Sequence, residues 1–128
     1  MENFKKYIIR NLSPEPLYII DIRWNQEGLK VTLESESGLD KIGLLFDETV
    51  YLYQDTAEVY KPSWHIVSEI DYYPFYYSKN SEMIDKLKED VNYVRDDEII
   101  HFAILGLDDV VDVLTSSLPI VSSLGLIR

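Results

Sequence analysis

The chain has 128 residues, 46% of them hydrophobic and 27% charged; this suits one folded domain, residues 1–128, around one core rather than a disordered polymer. Its 23 acids against 12 bases give a net charge of −11, which argues against nucleic acid and anionic membrane surfaces and would steer a basic partner toward it. With no cysteine, disulfide frameworks, thiolate metal sites and cysteine nucleophiles are excluded.

The first residues, MENFKKYIIRNLSPEP, fit helix or strand. Phe4, Tyr7, Ile8 and Leu12 would share a helical face, while KYIIR has the composition of a strand. The apolar run is too short for a signal peptide before Pro14 and Pro16 interrupt it. No stretch reaches the roughly 20 apolar residues of a membrane span, so the cytoplasm is the expected location. Tyr18, Ile20, Ile22 and Trp24 then alternate with Ile19, Asp21 and Arg23, which predicts a strand. After a turn over 25–28, Leu29, Val31 and Leu33 alternate with Lys30, Thr32 and Glu34, and the two strands should form a hairpin. Ile42 to Phe46, Val50 to Tyr53 and Trp64 to Ile70 continue the pattern and suggest an antiparallel meander.

The stretch from Ser63 to Ser78, SWHIVSEIDYYPFYYS, holds Trp64, His65, Phe75 and four of the ten tyrosines, with Glu69 and Asp71 as its only acids. Rings this dense either fill a core or form a surface that buries area while the hydroxyls stay wet. On a strand through 71–73, Tyr72 would face the core and Tyr73 would share the wet face with Asp71 and Glu69. Pro74 marks an edge position. The candidate binding residues are therefore Trp64, His65, Glu69, Asp71, Tyr73, Tyr76 and Tyr77.

From Ser78 the period changes. In SKNSEMIDKLKEDV, Met83, Ile84, Leu87 and Val91 share a helical face, Ser78, Asn80 or Ser81 can cap it, and Glu82 and Asp85 fall in the first turn. Ile99 to Leu105 and Val110 to Leu114 read as a second hairpin around Gly106 to Asp109, and Pro119 opens a tail that can form a last short strand.

Signals for chemistry are sparse. His101 lies among Ile99, Ile100, Phe102 and Ile104, where a satisfied buried imidazole is the commoner outcome; His65 lies near Glu69 and Asp71. Asp108, Asp109 and Asp112 lack the alternate spacing of a calcium loop, which leaves turn chemistry and an outward position for Asp112. Glu69 and Asp71 would share one strand face, an arrangement more typical of wet surface than of a glycosidase pair. There is no phosphate-cradling glycine loop and no nucleophile elbow. No catalytic residue, metal site or cofactor is expected.

The C-terminal third, HFAILGLDDVVDVLTSSLP, with the upstream YPFYYSKNSEMIDKL, resembles small acidic bacterial immunity proteins in its arrangement. A strand–turn–strand unit with a Ser/Pro break follows an aromatic stretch that runs into a capped helix. The resemblance implies a protein that neutralises a partner toxin; it carries over no diagnostic residue.

The expected fold is α+β, a mostly antiparallel twisted sheet of about five to seven strands with one main helix near residues 80–91 packed on it. That helix should meet inward rows from Ile20, Ile22, Leu29, Val31, Leu33, Leu44 and Phe46. The expected function is a non-catalytic module binding a basic protein partner. The alternatives are a small-molecule pocket lined by Trp64, Tyr72, Tyr73, Tyr76 and Tyr77, and a small hydrolase using His65 or His101 with a carboxylate.

Overall fold

The computed structural model describes residues 4–10, 12, 15–56, 73–90 and 98–123. The fold is α+β, with two antiparallel sheets and one short helix among the described residues. Its elements are β1 (Lys5–Lys6), β2 (Leu17–Asn25), β3 (Gly28–Ser35), β4 (Lys41–Phe46), β5 (Thr49–Thr56), β6 (Phe75–Ser78), α1 (Glu82–Lys88), β7 (Ile100–Leu105), β8 (Asp109–Thr115) and β9 (Ile120–Ser123). One sheet has the order β1-β6-β7-β8-β5 and the other β2-β3-β4-β9.

The expected meander holds for β2, β3 and β4 and then stops, because β5 pairs with β8 in the other sheet. The second hairpin, β7–β8, forms as the sequence suggests. The strand number exceeds the expected range because β1, β6 and β9 are short additions at or near sheet edges. The N-terminal segment is extended at Lys5–Lys6 rather than helical, since its Tyr7 amide donates to the Phe75 carbonyl along β6. The strand expected over Trp64 to Ile70 lies outside the described residues.

The sheets pack face to face. Leu29, Val31, Leu33, Leu44 and Phe46 from one meet Phe75, Phe102, Ile104, Val111 and Val113 from the other in a single buried cluster. Phe46 and Phe102 meet edge-on across the interface with ring centroids 5.2 Å apart. Each such ring contributes about 1.5–3 kcal/mol by leaving water. This apposition is why one inward row of β3 reads so cleanly in the sequence.

Two expectations need correction. The inward row of β2 is not Ile20 and Ile22 together. A bulge between Ile19 and Asp21 shifts the register, so Ile19 and Ile22 pack on the core while Ile20 stands 45% exposed. An extra residue breaks the two-residue period that the alternation assumed. The helix also packs elsewhere. Ile84 is buried with Ile99 and Leu114, flanked by half-buried Met83 and Leu87. These residues lie against β7 and β8, not against Leu29, Val31 and Leu33. That face of the five-stranded sheet needs a cover, because the opposite face already meets the second sheet. Val91 lies outside the described residues.

Gly28 follows the two-residue turn of the β2–β3 hairpin at φ 133°, and a Cβ there would sit 2.2 Å from the Phe46 carbonyl oxygen. Only glycine admits that close approach of β3 to the end of β4.

Candidate functional site

β7 is buried at every position, and so is β8 after Asp109. A hairpin that pairs Leu105 with Val110 pairs Ala103 with Asp112, which sets Asp112 diagonally across from His101 on one face. There His101 Nε2 lies 2.6 Å from Asp112 Oδ1 and Nδ1 lies 2.8 Å from Ser81 Oγ. Ser81 is the N-cap of α1, and its Oγ accepts from the Ile84 amide at 3.2 Å. The hydrogen-bond assignment that gives both ring nitrogens a partner while Ser81 Oγ accepts from Ile84 has the Ser81 hydroxyl donating to Nδ1 and Nε2–H donating to Asp112. Asp112 Oδ2 is buried with no partner among the described residues.

These three residue types match a hydrolytic triad, yet none is presented to solvent. Ser81 is 1% exposed, His101 2% and Asp112 0%. Phe4 stands edge-on against the imidazole at 5.0 Å. Ser81 also already serves the helix as its cap. The chain from Ile84 through Ser81 and His101 to Asp112 therefore ties α1 to both strands of the hairpin. The expected satisfied imidazole at His101 is what the structure contains. The outward position expected for Asp112 is corrected: it is fully buried and bonded to His101, against which Ser81 and Phe4 pack. Asp112 was legible as a partner of His101 only through the hairpin register, which the alternation of β8 alone does not supply, and Ser81 only through the placement of α1.

Trp64, His65, Glu69 and Asp71 lie outside the described residues. Tyr73, Tyr76 and Tyr77 are half-buried. The expected wet face for Tyr73 is corrected: the residue packs against the core, and its hydroxyl is taken up by the backbone of the N-terminal segment. The Tyr73 oxygen donates to the Tyr7 carbonyl at 2.9 Å and accepts from the Ile9 amide at 2.8 Å, and Lys6 Nζ sits 5.6 Å above its ring centroid. Tyr73 is thus a latch on the N-terminal segment. Pro74 precedes β6, whose Tyr76 and Tyr77 pair with Lys6 and Lys5 on one side and with Ala103 and Phe102 on the other. Tyr77 packs on the core beside Tyr7. Burial and, secondarily, Tyr73 push the Tyr7 hydroxyl above the ordinary tyrosine pKa.

Beside β6 lies an open cleft of about 620 Å³ lined by Phe4, Lys5, Tyr77, Ser78, Lys79, Asn80 and Leu118. Among the described residues no cluster of His, Asp and Glu has the makings of a metal site, and no helix is long and apolar enough to cross a membrane. No protein-family model matches the chain, and neither a curated protein nor a solved structure does so.

Proposed function

We propose that this is a small bacterial, cytoplasmic, non-catalytic protein-binding module of the immunity type, which neutralises a basic partner. One observation carries the reading: the half-exposed tyrosines of β6 run directly into a helix bordered by exposed Glu82, Asp85, Glu89 and Asp90. Tyrosine beside carboxylate suits a surface rich in Lys and Arg. Two of the cations there have acidic mates, Lys86 with Glu82 at 3.3 Å and Lys79 with Glu98 at 3.2 Å, while Lys5 and Lys6 pair alongside the tyrosines on β1 and Lys88 lies in the last turn of α1. The sealed position of Ser81, His101 and Asp112 supports a structural rather than a hydrolytic role for the triad.

The test is calorimetric titration against the product of the reading frame adjacent to this gene, together with growth of cells that express that product. Binding that weakens as salt rises, and growth rescued by this chain, are expected. Tyr76→Ala and Asp85→Lys should each weaken binding, the charge change acting mainly on the association rate. No binding at low ionic strength, with a neighbour that is harmless to cells, would overturn the proposal.

A second reading rests on the cleft beside β6. Its size suits a small molecule, and Lys5 and Lys79 beside Phe4, Tyr77 and Leu118 would favour an aromatic or aliphatic carboxylate. Saturable perturbation of the Tyr77 ring resonances by such an acid would support it.

A further inference from the structure

Among the described residues, β2 is an edge of its sheet, and it is nine residues long. Long open edges invite another strand, and proteins usually blunt them. Here the outer half of β2 is instead exposed and carries apolar side chains: Ile20 at 45% and Trp24 at 56%. Between them stand Asp21 and Arg23, both exposed, 3.5 Å apart on one face.

We propose that two copies of the chain pair antiparallel through β2 about a twofold axis at Ile22, joining their four-stranded sheets into one continuous sheet. The regular edge from Asp21 to Arg23 is self-complementary about that residue. Ile22 meets its own copy and each Asp21 meets the other chain's Arg23, with the exposed Trp24 of each chain beyond them toward the other's bulge. A twofold interface demands this reciprocity.

The backbone selects the same register. The two-residue turn makes Asn25 and Gly28 the closing pair of the hairpin. By alternation, Ile22 and Trp24 then direct their N–H and C=O groups away from β3. A slip by one residue would set these groups against inward-facing ones and lose the ladder. A slip by two in either direction would place Arg23 on Arg23 or Asp21 on Asp21. The bulge at Ile20 ends the regular edge, so the ladder is short and the dimer should dissociate on dilution.

The test is light scattering and sedimentation of the full chain over a dilution series. The wild type should shift between monomer, 15.0 kDa, and dimer. Asp21→Arg or Arg23→Asp alone should weaken dimerisation by about tenfold or more, and the double exchange should restore it. Both side chains are exposed, so the variants should fold, which circular dichroism checks. Register is read separately. In a chain without cysteine, Ile22→Cys should cross-link to its own copy on mild oxidation, because paired Cα atoms about 5.5 Å apart fall within disulfide reach. Asp21→Cys should not cross-link. A wild type monomeric at every soluble concentration overturns the proposal. So does a dimer indifferent to the single charge changes, or a double exchange that fails to rescue.

Discussion

The carboxylate of Asp112 is buried with one oxygen bonded to His101 and the other without a described partner. Such a group is costly to leave alone. Removing the imidazole with His101→Ala should therefore cost about 3–5 kcal/mol, far more than the hydrogen bond itself contributes. Asp112→Ala should cost a similar amount. The double variant should cost clearly less than the sum, because neither partner remains to be stranded. Urea unfolding of the four proteins checks this; additive losses would show that the two side chains act independently. A second prediction at this scale concerns alkaline pH. The Tyr7 hydroxyl pKa is raised by burial and then by Tyr73, so the fold favours its neutral form. Its contribution is complete below the unfolded tyrosine value of about 10, and it is lost as pH rises through the folded value. Tyr7→Phe should make the alkaline loss of stability shallower, as measured by urea midpoints across that range. Unchanged slopes would count against the assignment.

The helix α1 depends on two kinds of anchor. Ser81 caps its first turn, and Ile84 enters the small cluster with Ile99 and Leu114. Seven residues are too few for a helix to persist by propensity, so these tertiary ties hold it. Ile84→Ala should cost about 2–5 kcal/mol. Leu87→Ala should cost less, since Leu87 is half-buried rather than central, and Lys88→Ala should stay below about 0.5 kcal/mol. Equal effects at Ile84 and Lys88 in urea unfolding would refute this packing. The elements themselves were largely legible. Strict alternation at Leu29, Val31 and Leu33 reports a strand with one buried face, and the spacing of Met83, Ile84 and Leu87 reports a helix. What alternation misses is a bulge, and Ile20 is exposed for that reason. β6 was hidden for a different cause: Phe75 to Ser78 reads as part of a longer aromatic run, and only pairing with β7 defines its ends. The candidate site was less legible still. Ser81, His101 and Asp112 come from three elements, and their meeting depends on which side of the sheet the helix covers.

For the molecule as a whole, Phe102 is the residue through which the layers communicate. It lies edge-on to Phe46 of the opposite sheet, edge-on to Tyr7 of the N-terminal segment, and tilted against Phe75 of its own sheet. It is fully buried. The face of each sheet that meets the other has no alternative cover among the described residues, so loss of one layer would expose the inward row of the other. The fold should therefore open as one cooperative unit rather than sheet by sheet. Phe102→Ala should cost about 3–5 kcal/mol, and the loss should be felt on both sides of the interface. Native-state hydrogen exchange separates the alternatives. If the layers are coupled, the amides of β3 and β7 exchange through the same global opening, and Phe102→Ala lowers their protection by the same free energy. If the sheets open separately, protection falls in β7 and its neighbours while β3 keeps the wild-type value. The second outcome would mean that the aromatic contact is local and that each sheet has stability of its own.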